Sequence, residues 1–374
     1  MRIEADAAIV GGGIAGCAAA WNLAARGLSV CLIEKGAVGA GASGVNFGGV
    51  RQQGRDLAEL PLSRRARALW GELRGLIGTD GEFAATGHLK LAYSEADIVG
   101  LETYAARARE YGLVLEMIGR NRLLATYPWL GSDVRGASLC IEDGAANPRI
   151  VAPAFARAAR ARGARILEFT KAGEIGRAGE RFAIVAGDHE ISARWLVNCA
   201  GAWAAAIAKR FGETVPLEAI APNCMVTEPV RPFISRSLGI CGGGVAIRQT
   251  PQGSVVIGGG ESIVDMSAGR ARPLADVCMT VLKRALRAVP DLARVHVLRA
   301  WAGVEGDMAD HVPVVGPSRT TPGLIHAFGF SQHGFQLGPA VGEAVADLIT
   351  AGKARVDIAA LGIGRFAAVP AISR

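Results

Sequence analysis

The chain has 374 residues, half of them hydrophobic, and a formal net charge of +7 from 41 Lys and Arg against 34 Asp and Glu. That length is enough for a large buried core and for two domains, with no low-complexity tract or internal repeat. The charge comes from scattered arginines such as Arg64, Arg65 and Arg67, or Arg157, Arg160, Arg162 and Arg165, with no interleaved aromatic residues. This argues against a nucleic-acid platform and leaves solubility and attraction of anionic ligands. Seven widely spread cysteines form no C-x-x-C pair and share no ligand spacing with histidine, so a reducing compartment is expected and no metal site.

The first fifty residues organise the rest. Asp6-Ala7-Ala8-Ile9-Val10 reads as a short buried strand and Gly11-Gly12-Gly13-Ile14-Ala15-Gly16 as a tight turn. Residues 17–26 read as an Ala-rich helix and 29–33 as a second strand that stops at Glu34. Strand, G-x-G-x-x-G, helix, strand and acid in this order describe a dinucleotide site. Gly11 makes the turn, Gly13 admits the pyrophosphate, and Gly16 lets helix and strand pack closely. The helix N-terminus presents unpaired N–H groups and a positive dipole end to phosphates. Glu34, 23 positions beyond Gly11, is placed to accept from a ribose 2′-OH, which disfavours NADP and leaves NAD and FAD. A chance glycine cluster among 50 glycines would not explain the flanking strands and acid. The uncharged stretch 7–25 mimics a membrane span, but four glycines and Asn22 make it a poor lipid helix.

After Glu34-Lys35 an NAD domain would enter a crossover helix. Here residues 36–51 form a long loop of small residues whose backbone can lie against a large flat ligand. The run E-K-G-x-x-G-x-G-A-S-G-x-N-x-G-G, from Glu34 to Gly49, resembles the flavin-embracing loop of the amine-oxidising FAD family. That family includes D-amino acid oxidase, glycine oxidase, sarcosine oxidase and the flavin subunits of opine and D-hydroxyproline dehydrogenases.

Residues 56–78 read as an amphipathic helix that buries Leu57, Leu60, Leu69, Leu73, Leu76 and Ile77. Residues 82–93 alternate around Gly87 as two strand pieces; helices follow at 95–111 and 120–127, then a strand at 136–141. The segment from Asp143 to Pro148 caps a helix over 150–162, and 166–169 is a third parallel strand. At 195–203 a buried strand ending in Ala200-Gly201 opens a helix at Trp203, similar to the family's second flavin-contacting turn. Residues 218–228, 244–249 and 254–259 read as strands and 273–288 as a helix, a sheet suited to wall off a reaction centre.

The last seventy residues carry Arg299-Ala300-Trp301-Ala302-Gly303, Asp310-His311-Val312-Pro313 and Gly329-Phe330-Ser331-Gln332-His333-Gly334-Phe335, each similar to a block of the same family. A strand ending at 327–329 and a small-residue turn lead to a helix over 339–349, whose dipole can face the flavin pyrimidine.

The resemblance, which covers residues 5 to about 350, implies an α/β fold. A Rossmann-like FAD-binding domain (1–80, 143–214, 300–374) is expected beside a second, mostly antiparallel, α+β substrate domain (81–142, 215–299). It implies FAD contacts from Gly11, Gly13, Ile14, Ala15, Gly16, Glu34, Lys35, Ala42, Ser43, Asn46, Gly48, Gly49, Ala172, Ala200, Gly201, Trp203, Gly303, Gly334, Phe335 and Gln336. The reaction implied is hydride transfer from the carbon beside an amine, giving an imine that hydrolyses. An oxygen-using oxidase and a non-catalytic FAD-carrying subunit are the alternatives. Arg51, directly after the loop, is the candidate carboxylate clamp. His333 is a candidate contact to ring or substrate, and His88 is read as structural. Glycine-oxidase-like members have an arginine where Glu305 stands and another near Gln332, so Glu305 is expected to select a cationic or polar substrate group. With no histidine before His88 and no cysteine after Cys278, non-covalent FAD is expected. Partner subunits or another electron acceptor, and cytoplasmic residence with peripheral membrane association left open, complete the reading.

Overall fold

The computed structural model describes residues 1–366. The eight expected positions 367–374 of the last nucleotide segment lie outside the described residues.

The first strand, β1 (Arg2–Val10), is four residues longer than its apolar run because Arg2 to Ala5 continue the ladder against Glu190 to Ala193. It leads through the glycine turn into α1 (Ile14–Ala25) and then β2 (Val30–Ile33). Next come α2 (Leu60–Ile77) and α3 (Pro148–Arg160), then β3 (His189–Asn198), β4 (Leu324–Phe328) and α4 (Gly334–Ala351). In the first sheet β1 lies between β2 and β3, parallel to both. Arg165–Leu167 extends it beyond β2, and β4 then Val314–Pro317 beyond β3. The chain therefore reverses its direction of winding at the carboxyl end of β1, where α/β sheets bind ligands. A hairpin of Ala172–Ala178 and Arg181–Ala186, absent from the sequence reading, adds to β3.

The second sheet runs Val297–Ala302, Pro222–Pro229, Ser254–Glu261, Ala246–Gln249, Ser237–Ile240, His88–Ala92, Gly136–Cys140, Glu116–Gly119. It is antiparallel except where Ser237–Ile240 runs parallel to His88–Ala92. All strands of the first sheet come from the three expected nucleotide segments. The division expected at 299/300, however, falls inside the edge strand Val297–Ala302 of the second sheet.

Several local expectations are corrected. The strand expected over 218–228 is two, Leu217–Ile220 and Pro222–Pro229, which join different sheets. Residues 82–86 form no strand, only an isolated bridge from Ala84 to Ala145. The helix after Asp143 starts at Pro148 with Asn147 as its cap; Asn147 Oδ1 accepts from Arg149 N at 3.1 Å. The last helix begins at Gly334, five residues before Pro339, and carries that proline inside it. Proline's φ fits a helix, and the cost is one missing N–H.

α1 and α4 pack face to face, and α2 is bolted to α4. Arg65 makes a two-pronged bond to Glu343 (2.7 and 2.8 Å), and Trp70 Nε1 donates to Gln336 O (2.8 Å). Gly342 is where the α1 and α4 backbones meet: a Cβ there would stand 2.4–2.6 Å from Ala18 and Ala19. Gly342→Val is expected to destabilise the protein by about 1–3 kcal/mol through overpacking. Urea unfolding of the two proteins checks this; an unchanged midpoint would mean that the helices are not held this tightly.

Candidate functional site

At the carboxyl end of β1, Gly11 has φ +112°, and a Cβ there would lie 2.1 Å from Cys199 O; a Cβ on Gly16 would lie 2.0 Å from Gly11 O. Only glycine fits either place. Gly13 is the N-cap of α1 and brings no side-chain cap, so the first amides of the helix face outward. Of these, Ile14 N donates to Ser43 Oγ at 2.9 Å. Glu34 is more engaged than its expected ribose role requires: Oε2 accepts from Gly12 N (2.6 Å) and Oε1 from Gly36 N (2.7 Å). It fixes the turn and the loop together while still lining the cavity. Lys35 Nζ lies over the Trp203 ring, 2.8 Å from its centroid.

A cavity of about 2170 Å³ runs from this turn across to the second sheet. It brings together Gly11, Gly13, Ile14, Ala15, Gly16, Glu34, Lys35, Ala42, Ser43, Asn46, Gly49, Ala172, Ala200, Gly201, Trp203, Gly303, Gly334 and Phe335, and with them Arg51, Glu305 and His333. Two expected residues do not line it. Gly48 abuts Ala146 O, and Gln336 is fully buried against α2: Nε2 donates to Ser63 O (2.8 Å), and Oε1 accepts from Ser63 Oγ (3.0 Å). Gly48 shapes the loop through its backbone, and the Gln336 side chain is directed into α2.

The loop after Glu34 contains a short helix, Ala42–Val45, and is clamped by the second sheet. Trp301 Nε1 donates to Val45 O (2.7 Å) and Arg248 Nε to Phe47 O (2.7 Å). Asn46 ties off the helix, donating to Ala42 O and Ser43 O and accepting from Gly48 N at 2.7 Å. On the other side, Ser331 and Gln332 both have left-handed backbones, φ +48° and +68°. Such conformations persist where surrounding bonds impose them. Here Glu305 Oε1 accepts from Gln332 N (2.7 Å) and Ser331 Oγ from Met308 N (3.0 Å). Glu305 therefore braces the turn that opens α4, and burial lifts its carboxyl to about 7.

That turn sets His333 against Glu59, whose carboxyl oxygens lie 3.0 and 2.9 Å from Nδ1. Burial pushes Glu59 up to about 7 and His333 well below its usual value. Arg55, only 3 % exposed, reaches into the same space, and its Nη1 has no partner among the described residues. Burial, then Arg51, presses it down to about 9, so it stays charged at neutral pH. Among the described residues Arg51 Nη1 donates only to Gln53 O. Asp143, which the sequence assigned to a helix cap, is buried here and accepts from Gln52 N (2.8 Å) and Gln53 N (3.2 Å). His88 is bonded to Gln53 through Nδ1 (2.7 Å) and is kept neutral by burial, Arg51, Lys90 and Arg55.

Residues 6–348 match the family model described as DAO, FAD dependent oxidoreductase. The chain belongs to that family. Glycine oxidase of Geobacillus kaustophilus (strain HTA426) is 27 % identical over 373 residues, covering 98 % of both chains. One of the subunits of opine oxidase from Rhizobium meliloti is 27 % identical over 383 residues, covering 97 % of this chain and 98 % of its own. The crystal structure of L-proline dehydrogenase from P. horikoshii superposes with a TM-score of 0.91 at 27 % identity, over 98 % of this chain and 99 % of that one.

FAD is the cofactor, and the residues fit it. The glycine turn accepts no Cβ, Gly13 brings no side chain of its own over the start of α1, and the cavity exceeds the several hundred Å³ of an ordinary small-ligand site. Among the described residues no helix is long and apolar enough to cross a membrane. The sequence reading missed Arg55, Glu59, Lys90 and Tyr104 on the cavity wall. Lys90 was signalled by its alternation with Leu89 and Leu91, whereas Arg55 lies in an irregular turn at 51–56 that carries no periodic signal.

Glu59 has a folded value above its usual 4.5, so its favourable contribution is complete below that value and is lost as pH rises through about 7. Glu59→Gln is expected to gain thermal stability over the parent at pH 8 and to lose that advantage near pH 5. Melting curves at the two pH values check this; an advantage independent of pH would contradict the assignment.

Proposed function

We propose that this chain oxidises the C–N bond of an amino or imino acid and that Arg51 and Arg55 hold the substrate carboxylate. The observation that carries the reading is the Arg55 guanidinium, buried on the cavity wall with Nη1 unpartnered. A buried donor left in this state costs about 1–3 kcal/mol, a cost that a bound carboxylate removes. The relatives' names, glycine oxidase, opine oxidase and L-proline dehydrogenase, support an amino donor.

In this reading the glycine turn and α1 hold the pyrophosphate, and Glu34 faces the ribose. Ala42, Ser43, Asn46, Gly49, Gly303, Gly334 and Phe335 would hold the ring, and the positive end of α4 would favour the negative charge that reduction adds. When bound, FAD supplies the two-electron acceptor for a hydride from the carbon beside the nitrogen. The protein's part is orientation and desolvation. Arg51 and Arg55 fix the carboxylate so that the C–H faces the ring. The Glu59–His333 pair, on the same cavity wall, is placed to take up an ammonium proton. The iminium left by hydride loss takes up water and hydrolyses. Glu305 keeps the α4 turn in shape, in place of the substrate-selecting role expected of it.

The flavin is held without a covalent bond, and a partner subunit accepts the electrons, as likeness to the opine oxidase chain suggests. Cytoplasmic residence, resting on an odd count of cysteines, belongs to the same proposal.

Arg55→Met is expected to keep its FAD and to lose about 2–5 kcal/mol of transition-state binding, roughly 30-fold or more in kcat/KM. Steady-state kinetics on whichever amino acid is turned over checks this; a fully active variant would refute the clamp. Acid precipitation is expected to leave the yellow colour in the supernatant, and a yellow pellet would refute non-covalent binding.

A further inference from the structure

The cation cluster is larger than one carboxylate requires. Lys90 stands on the strand His88–Ala92, with Leu89 and Leu91 buried on the opposite face and its own side chain lining the cavity. Its Nζ has no hydrogen-bond or ion-pair partner among the described residues, and burial, then Arg51, lowers its pKa. Lys90 Nζ and Arg51 Nη1 lie 2.9 and 3.0 Å from the point where a Cβ on Gly54 would stand, so the two cations are neighbours.

Arg55 Nε donates to Arg51 O (3.1 Å), and Arg51 Nη1 in turn neighbours Lys90 Nζ beside Gly54, so Arg51 lies between the other two cations. Beside Lys90 the paired strand places Gly239, which also lines the cavity. Tyr104 is also on this wall.

None of the three cations forms an ion pair among the described residues. Of the carboxyl groups around Arg51 and Arg55, Asp143 is occupied by the amides of Gln52 and Gln53, Glu59 by His333 and Glu305 by the amide of Gln332. A simple amino acid brings one carboxylate and satisfies the arginines. Lys90 would then remain a desolvated charge without a counterion, which proteins avoid.

We infer that the substrate is an amine bearing two carboxylates, an N-(carboxyalkyl) amino acid, with one carboxylate on Arg51 and Arg55 and the second on Lys90. This rests on the clamp proposed above for the two arginines.

The test uses the FAD-loaded protein and two ethers that cannot be oxidised as amines, methoxyacetate with one carboxylate and oxydiacetate with two. Each is titrated against the flavin absorbance. Oxydiacetate is expected to bind about tenfold or more tighter than methoxyacetate. Lys90→Met is expected to collapse that ratio toward one, and Lys90→Arg, which keeps the cation, to restore most of it. In turnover the parent is expected to prefer iminodiacetate to sarcosine in kcat/KM and the Lys90→Met variant to lose the preference. Equal affinities in the parent, or a preference that survives Lys90→Met, would overturn the inference and leave the arginine clamp standing. Failure of methoxyacetate to perturb the flavin of the parent protein would overturn both.

Discussion

At the end of β1 two carbonyl oxygens occupy the places where side chains would begin. Gly11 O stands 2.0 Å from the Cβ position of Gly16, and Cys199 O stands 2.1 Å from that of Gly11. These two approaches draw together the end of β1, the start of α1 and the end of β3, at the point where the parallel sheet changes direction. They turn the N-terminus of α1, where Ser43 Oγ accepts from Ile14 N, toward the cavity and let α4 lie along α1. The same geometry sets the start of α4 facing the cavity, so one packing constraint aims two helix ends at one ligand.

The opposite end of the cavity is governed by charge. Arg51, Arg55 and Lys90 are withdrawn from water without acids to match them, and the nearest carboxyl groups are either tied to backbone amides or paired with His333. Burial of this kind is unfavourable for the empty protein and strengthens every interaction with an anion that enters. The strained pair Ser331 and Gln332, held by Glu305, serves the same end by setting His333 against Glu59.

The nucleotide half was legible because local rules agreed: apolar runs of strand length, a glycine turn, an uncharged helix and an acid at the right distance. The C-terminal blocks were legible for the same reason, though Pro339 misled the reading of where α4 begins, since a proline is tolerated there once the helix is buried on all sides. Short strands that depend on distant partners escaped it. Ser237–Ile240 is four residues long and exists because His88–Ala92 lies beside it. The catalytic end escaped for a related reason. Glu305 was recognised as a departure from related chains, but its bond to the Gln332 amide depends on a turn 27 residues away. Lys90 becomes informative only when Arg51 is seen beside it.

The central claim is that the cavity oxidises amines that carry a carboxylate. Anaerobic mixing of the purified yellow protein with amino and imino acids, and with the corresponding amines that lack the carboxyl group, tests it most directly. Bleaching of the flavin by carboxylate-bearing compounds and not by their decarboxylated counterparts is the predicted result. A flavin that no amino or imino acid in a broad D-, L- and N-alkyl panel reduces, or that bare amines reduce equally well, would contradict it.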